Sequence, residues 1–154
     1  MEMEQEMKLD NIDEIAISVI NESKKLSNEK ARIIALDGDL GAGKTTLTKA
    51  ICKILGIKKD IISPTFVIMK YYNLGKSKGE SLSPSIKRLI HIDAYRLNNA
   101  DELLKLGFDE ISKNKENLII IEWGERVRQC LGNNVLNIKL NHKDENTRTI
   151  QFLV

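Results

Sequence analysis

The residues best equipped for chemistry are Gly38-Asp-Leu-Gly-Ala-Gly-Lys44-Thr45, which fit the pattern G-x-x-x-x-G-K-[ST]. Glycines at this spacing let the backbone wrap an anion with its N–H groups turned inward, and a following helix points its positive end at the same anion. A lysine in the seventh place can bridge β- and γ-phosphates, and the Thr45 hydroxyl can ligate Mg²⁺. The motif follows a short apolar run, Arg32 to Asp37, and precedes a helical pattern, which is the strand–loop–helix context this mechanism needs. A tight glycine turn alone would not explain Lys-Thr at the helix start. The stretch Leu40, Gly41, Ala42, Gly43, Lys44, Thr45 and Thr46 is therefore read as a nucleotide-phosphate loop.

Nucleotide hydrolysis also needs an acid on the Mg²⁺ side and a group that orients the attacking water. Two carboxylates end apolar strands: Asp93 after Leu-Ile-His-Ile and Glu122 after Leu-Ile-Ile-Ile. The cleaner apolar run favours Glu122 for the metal side, leaving Asp93 to orient water or sense the γ-phosphate. Catalysis is thus assigned to Lys44, Asp93 and Glu122, and the metal to Thr45 and Glu122. Ser63-Pro-Thr-Phe66 occupies the connection that often senses a γ-phosphate, with Thr65 as the sensor candidate; an ordinary turn has the same spacing. Trp123, the single Trp, follows Glu122 at the expected mouth of the site or packs in the core. Guanine readers use Asn-Lys-x-Asp, and Asn141-His-Lys-Asp144 misplaces the lysine, so adenine is favoured.

These residues need a scaffold, and periodicity supplies one. Met1, Met3, Met7 and Leu9 alternate with polar residues as in an edge strand. Ile12, Ile15, Ala16, Val19 and Ile20 form a helical stripe behind Asp10 or Asn11 as N-cap. Leu47, Ala50, Ile51, Ile54 and Leu55 form a second stripe, stopped at Gly56. Thr65–Tyr72 and Leu89–Asp93 read as strands, 73–87 as a loop or hairpin tip, and 100–106 and 108–113 as short helices. Asn117–Glu122 is apolar enough to be a central strand covered on both faces. A short helix is expected over Glu125–Leu131, then a C-terminal hairpin of Val135–Leu140 and Thr147–Val154. The fold class is α/β: a P-loop NTPase-like three-layer fold whose central sheet is mostly parallel, with antiparallel strands at the N-terminus and a C-terminal hairpin.

Length and charge bound the rest. The chain's 154 residues suit one domain, 1–154, and are too few for a catalytic domain plus a substrate domain. Twenty-four Lys+Arg against 22 Asp+Glu give a net charge of +2, so a nucleic-acid partner would need a local basic patch. No apolar run spans a membrane, and the acidic first residues carry no secretory h-region, so a cytoplasmic location is expected. Cys52 and Cys130 show no metal or redox spacing and are expected to be reduced and structural. His91 and His142 lie far apart, without ligand spacing.

Taken together, Gly38 to Thr46, Ser63-Pro-Thr-Phe66, His91-Ile-Asp-Ala-Tyr-Arg96 and Glu122-Trp123 occur in an order and spacing that resemble the TsaE (YjeE-type) family. These are small bacterial P-loop ATPases of tRNA threonylcarbamoyladenosine synthesis. Leu103-x-x-Leu-Gly107 and Glu125-Arg-Val extend the resemblance, which runs from about residue 10 to the end. It implies ATP or ADP with Mg²⁺, a resetting action on the TsaD–TsaB pair, and tRNA met only indirectly or weakly. By motif it implies Lys44 and Thr45 as phosphate and metal residues, Glu122 as the Mg²⁺ residue, Asp93 as a second acid and Thr65 as the switch. Asn11 and Arg148 align with positions that approach the nucleotide. The residues themselves leave two other activities open: a small-molecule P-loop kinase using Asp93 as base, and a non-catalytic nucleotide sensor.

Overall fold

A computed structural model describes residues 3–62, 64, 67–74 and 85–153. Seven strands form one sheet: β1 (Met3–Met7), β2 (Arg32–Asp37), β3 (Met69–Asn73), β4 (Arg88–Asp93), β5 (Asn117–Glu122), β6 (Val135–Asp144) and β7 (Thr147–Leu153). Their spatial order is β1-β7-β6-β2-β5-β4-β3. The inner four, β6-β2-β5-β4, run parallel, while β1, β7 and β3 are antiparallel to their neighbours. Every residue of β5 is buried, as its unbroken apolar run requires of a strand covered on both faces.

Alternation along the strands divides the core in two. Ile34, Leu36, Leu118 and Ile120 face one layer, packed under α1 (Ile12–Ser23) and α2 (Lys44–Ile54). Ile33, Ala35, Ile90, Ile92, Ile119 and Ile121 face the other, against α3 (Ala100–Leu104), α4 (Phe108–Lys113), Val127 and Leu131. This is the expected three-layer α/β arrangement. No helix among the described residues is long and apolar enough to cross a membrane.

Several local expectations shift. The stretch expected as one helix over 125–131 is two 3₁₀ turns, Gly124–Arg126 and Arg128–Cys130, broken at Val127, whose φ of −128° is not helical. The C-terminal hairpin is longer than its apolar alternation suggests, because β6 pairs as far as Asp144 and only Glu145-Asn146 turn. Strand β3 begins at Met69, after Ile68 with φ of 66°. Asn11 stands at the start of α1 without capping it: its Oδ1 accepts from the Lys8 N–H at 2.6 Å and its Nδ2 donates to the Glu6 carbonyl at 3.0 Å. The Asn side chain makes its hydrogen bonds to the preceding turn instead of to the helix N–H groups. Ser63, Thr65, Phe66 and most of the 73–87 insertion lie outside the described residues.

Candidate nucleotide site

The loop 38–43 leaves the C-terminal end of β2, and α2 opens at Lys44. Three glycines make the path possible. Gly38, Gly41 and Gly43 have φ of 150°, 78° and 100°, values that disfavour any residue with a Cβ. At Gly38 there is also no room, since a Cβ would stand 2.5 Å from the Leu140 carbonyl oxygen. The loop is thus pressed against β6 on one side and directed to the N-terminus of α2 on the other.

Lys44 is only 5% exposed. Its Nζ donates to the Gly38 carbonyl and, at 2.9 Å, to the Asp39 carbonyl, and lies 4.1 Å from the Trp123 ring centroid. Burial draws its pKa below the ordinary lysine value, opposed by the carboxylates of Glu122, Glu125, Asp39 and Asp93. The Thr45 hydroxyl donates to Glu122 Oε1 at 2.6 Å. This contact crosses between α2 and the end of β5, the parallel neighbour of β2. Asp93 pairs opposite Glu122 at the end of β4, and its Oδ1 accepts from the Tyr95 N–H at 3.0 Å.

Trp123 turns the chain out of β5 with φ of 61°, its N–H donating to the Leu36 carbonyl at 2.9 Å. Its ring centroid is 5.1 Å from that of Tyr95, and the Arg126 guanidinium lies over both rings, at 5.3 and 5.4 Å. Arg148, on β7, donates from Nε to the Gly41 carbonyl at 2.8 Å and from Nη1 to the Asp144 carbonyl at 2.8 Å. It therefore ties the phosphate loop to the hairpin turn.

These groups surround one cleft of about 750 Å³. Lys44, Thr45, Asp93 and Glu122 give its lining polar groups, and Met7, Leu9, Ile12 and Leu40 apolar ones. Leu9 and Leu40 are 79% and 74% exposed, so they offer uncovered hydrocarbon to a ligand. Gly41, Gly43, Thr46, Trp123 and Arg148 also line the cleft. Asn11 and Ala42 do not: Ala42 is buried, and Asn11 secures the turn between β1 and α1 that carries Leu9. Thr65 lies outside the described residues.

Position alone in the sequence gives His91 no role, yet it is fully buried with Nε2 2.5 Å from Glu122 Oε2. The available signal was its place two residues before Asp93 on a strand, which puts both side chains on one face. Likewise, Asp37 at the end of β2 pairs with Arg128, which also donates to Asn137 Oδ1 at 2.5 Å. This pairing fastens the 3₁₀ segment beside the loop.

The sequence matches the family model described as threonylcarbamoyl adenosine biosynthesis protein TsaE over residues 9–150. A tRNA threonylcarbamoyladenosine biosynthesis protein TsaE of Rickettsia felis is 36% identical over 139 residues, covering 86% of this chain and 74% of the relative. The protein of the same name from Haemophilus influenzae is 32% identical, covering 84% and 74%, and that from Bacillus subtilis 36%, covering 78% and 68%. Among solved structures, Bacillus subtilis YdiB superposes with a TM-score of 0.68 at 26% identity, covering 99% of this chain and 84% of that one.

Proposed function

This chain belongs to the TsaE family of tRNA threonylcarbamoyladenosine biosynthesis, and from that premise we propose that it is a single-domain, Mg²⁺-dependent ATPase that acts on a TsaD–TsaB pair. The observation that carries the ATPase reading is the Thr45–Glu122 contact of 2.6 Å beside Lys44, at the C-terminal ends of two adjacent parallel strands. Open α/β sheets bind ligands at that end.

The residues divide the work. The backbone N–H groups of Gly41 and of 43–45 receive the phosphates, and Lys44 exchanges the Gly38 and Asp39 carbonyls for phosphate oxygens. The exposed Leu9 and Leu40, with Met7 and Ile12, take the base. Asn141 to Asp144, the one string near a guanine reader, lies in β6 and is not among the described residues that line the cleft. The side-chain donors beside Lys44 in the cleft are hard oxygens, and the described residues include no group of three or more His, Cys, Asp or Glu placed to hold a metal ion by themselves. That set fits Mg²⁺, which commonly takes one or two carboxylates and completes its shell with phosphates and water. Thr45 and Glu122 would hold it, and when bound it would offset negative charge on the β- and γ-phosphate oxygens. Asp93, across from Glu122 and also lining the cleft, is assigned the orientation of a water.

Hydrolysis in this reading depends on the partner, because a transition-state cation supplied in trans contributes on the order of 10³ to 10⁵ in rate. The test is steady-state ATP turnover by the purified chain with and without the TsaD–TsaB pair. Slow turnover alone and acceleration in the nucleotide-bound complex is the expected result. Fast turnover alone, indifferent to the pair, would sink the proposal.

A further inference from the structure

The centre of β4 holds a residue that packing does not call for. His91 is 0% exposed on a strand otherwise built of Leu89, Ile90 and Ile92 at its centre, and burying ring nitrogens is costly unless they are paired. The register explains where it points. His91 lies opposite Ile120 and Asp93 opposite Glu122, so His91 and Glu122 share a sheet face one diagonal step apart. Their contact is 2.5 Å between Nε2 and Oε2, while Glu122 Oε1 accepts from Thr45 at 2.6 Å. Both carboxylate oxygens are thereby engaged, each by a different residue.

The second ring nitrogen identifies the donor. Nδ1 is buried with no hydrogen-bond partner among the described residues. Orphaned buried N–H groups are rarer than under-satisfied acceptors. The ring proton therefore belongs on Nε2, where it donates to Glu122, with Nδ1 left as the bare acceptor.

We propose that His91 is a positioning residue for the Mg²⁺–nucleotide site. Its Nε2–H holds Oε2 of Glu122, fixes the rotation of the carboxylate, and leaves Oε1, the oxygen that meets Thr45, for the metal side. The inference rests on Thr45 and Glu122 being the metal-side pair. Partners that orient a metal-ligating group typically change metal affinity by 10- to 100-fold when removed.

Calorimetry of ADP binding, with Mg²⁺ and with chelator, tests it on the wild type, Glu122→Gln, His91→Phe and His91→Gln, each first checked by thermal melting. Wild type should bind ADP more tightly with Mg²⁺. His91→Phe should keep its metal-free ADP affinity within about twofold while Mg²⁺ affinity in the ADP complex falls about 10- to 100-fold. His91→Gln, which restores an N–H at nearly the same reach, should recover most of that loss. A His91→Phe protein with the wild-type Mg²⁺ response, or equal losses in the Phe and Gln variants, would overturn the positioning role alone. If Mg²⁺ has no effect on wild type, or Glu122→Gln none on the Mg²⁺ response, the metal-side reading falls and takes this inference with it. Should His91→Phe not fold, ¹⁵N-histidine spectra of the wild type decide. The Nε2–H tautomer, with signals that move when Mg²⁺ joins the ADP complex, supports the role; an Nδ1–H tautomer overturns it.

Discussion

Lys44 is an ammonium already provided for: two carbonyl acceptors and an indole face take the place that phosphate oxygens would fill. Replacing those neutral acceptors by anionic ones adds charge–charge attraction to each hydrogen bond. Lys44→Ala should accordingly lose at least about a hundredfold in ATP and ADP affinity, since hydrogen bonds to charged groups contribute about 1.5–3 kcal/mol each. Calorimetry measures this, and retained micromolar affinity would contradict the phosphate-loop reading. Glu125 carries a second residue-scale expectation. Burial, together with the neighbouring Asp37 carboxylate, holds its pKa above the ordinary glutamate value. A carboxyl raised in the folded state stabilises the fold fully below its unfolded pKa, and that contribution is lost as pH rises through the folded value. Glu125→Gln should therefore differ least from wild type near pH 4 and be the more stable protein by pH 8. Because the residue as a whole is exposed and only its carboxyl is partly withdrawn from water, the gain should stay under about 1 kcal/mol. Urea midpoints across that range provide the check, and a difference that shrinks toward pH 8 would refute the assignment.

At the scale of elements, the phosphate loop is defined by what its glycines avoid. Gly38 and Gly41 both have positive φ, but only Gly38 faces an obstacle, the Leu140 carbonyl at 2.5 Å, whereas a Cβ on Gly41 meets nothing within 4 Å. Gly41→Ala should cost about 1–2 kcal/mol from backbone conformation alone. Gly38→Ala must in addition move β6 or the loop, adding about 1–3 kcal/mol. Denaturant unfolding of the two variants separates these contributions, and equal losses would mean the loop is not pressed on β6. Much of this architecture was legible before any coordinates, because strong local patterns agreed with the tertiary structure. The unbroken run before Glu122 suits a doubly covered strand, and Gly-Lys-Thr after an apolar strand suits the opening of a helix, as the structure has them. Where local pattern failed, a tertiary contact had the larger say. Val127, Cys130 and Leu131 repeat at helical spacing, yet Val127 with φ of −128° separates two 3₁₀ turns, and the second is tied to β2 by the Arg128–Asp37 pair. The partnership of His91 with Glu122 was hidden because it depends on the register of β4 against β5, which spacing along one strand does not contain.

The whole molecule brings distant parts of the chain to one cleft. Strand β1 pairs with β7, so the first and last strands are neighbours, and the β1–α1 turn and the β6–β7 turn meet over the phosphate loop. Arg148 bonds the loop to that hairpin, and a side chain on Gly43 would collide with Met7 Cε at 2.8 Å. A ligand in the cleft would thus meet residues near 7–12, in the 38–46 loop and helix start, at 122–123 and at 145–148 at once. Folding should be a single transition, in keeping with one domain over 1–154, and nucleotide should stabilise all of it. At a free ligand concentration one hundred times its Kd, binding adds about 2.7 kcal/mol. For a domain near this size, each kcal/mol raises Tm by about 2–4 °C, so Mg²⁺-ADP should lift the transition by about 5–11 °C. Scanning calorimetry would show one peak moving intact. Two peaks, with only one displaced by nucleotide, would instead divide the chain into a loop-bearing unit and a separately folding sheet edge, and the single-domain reading would have to be abandoned.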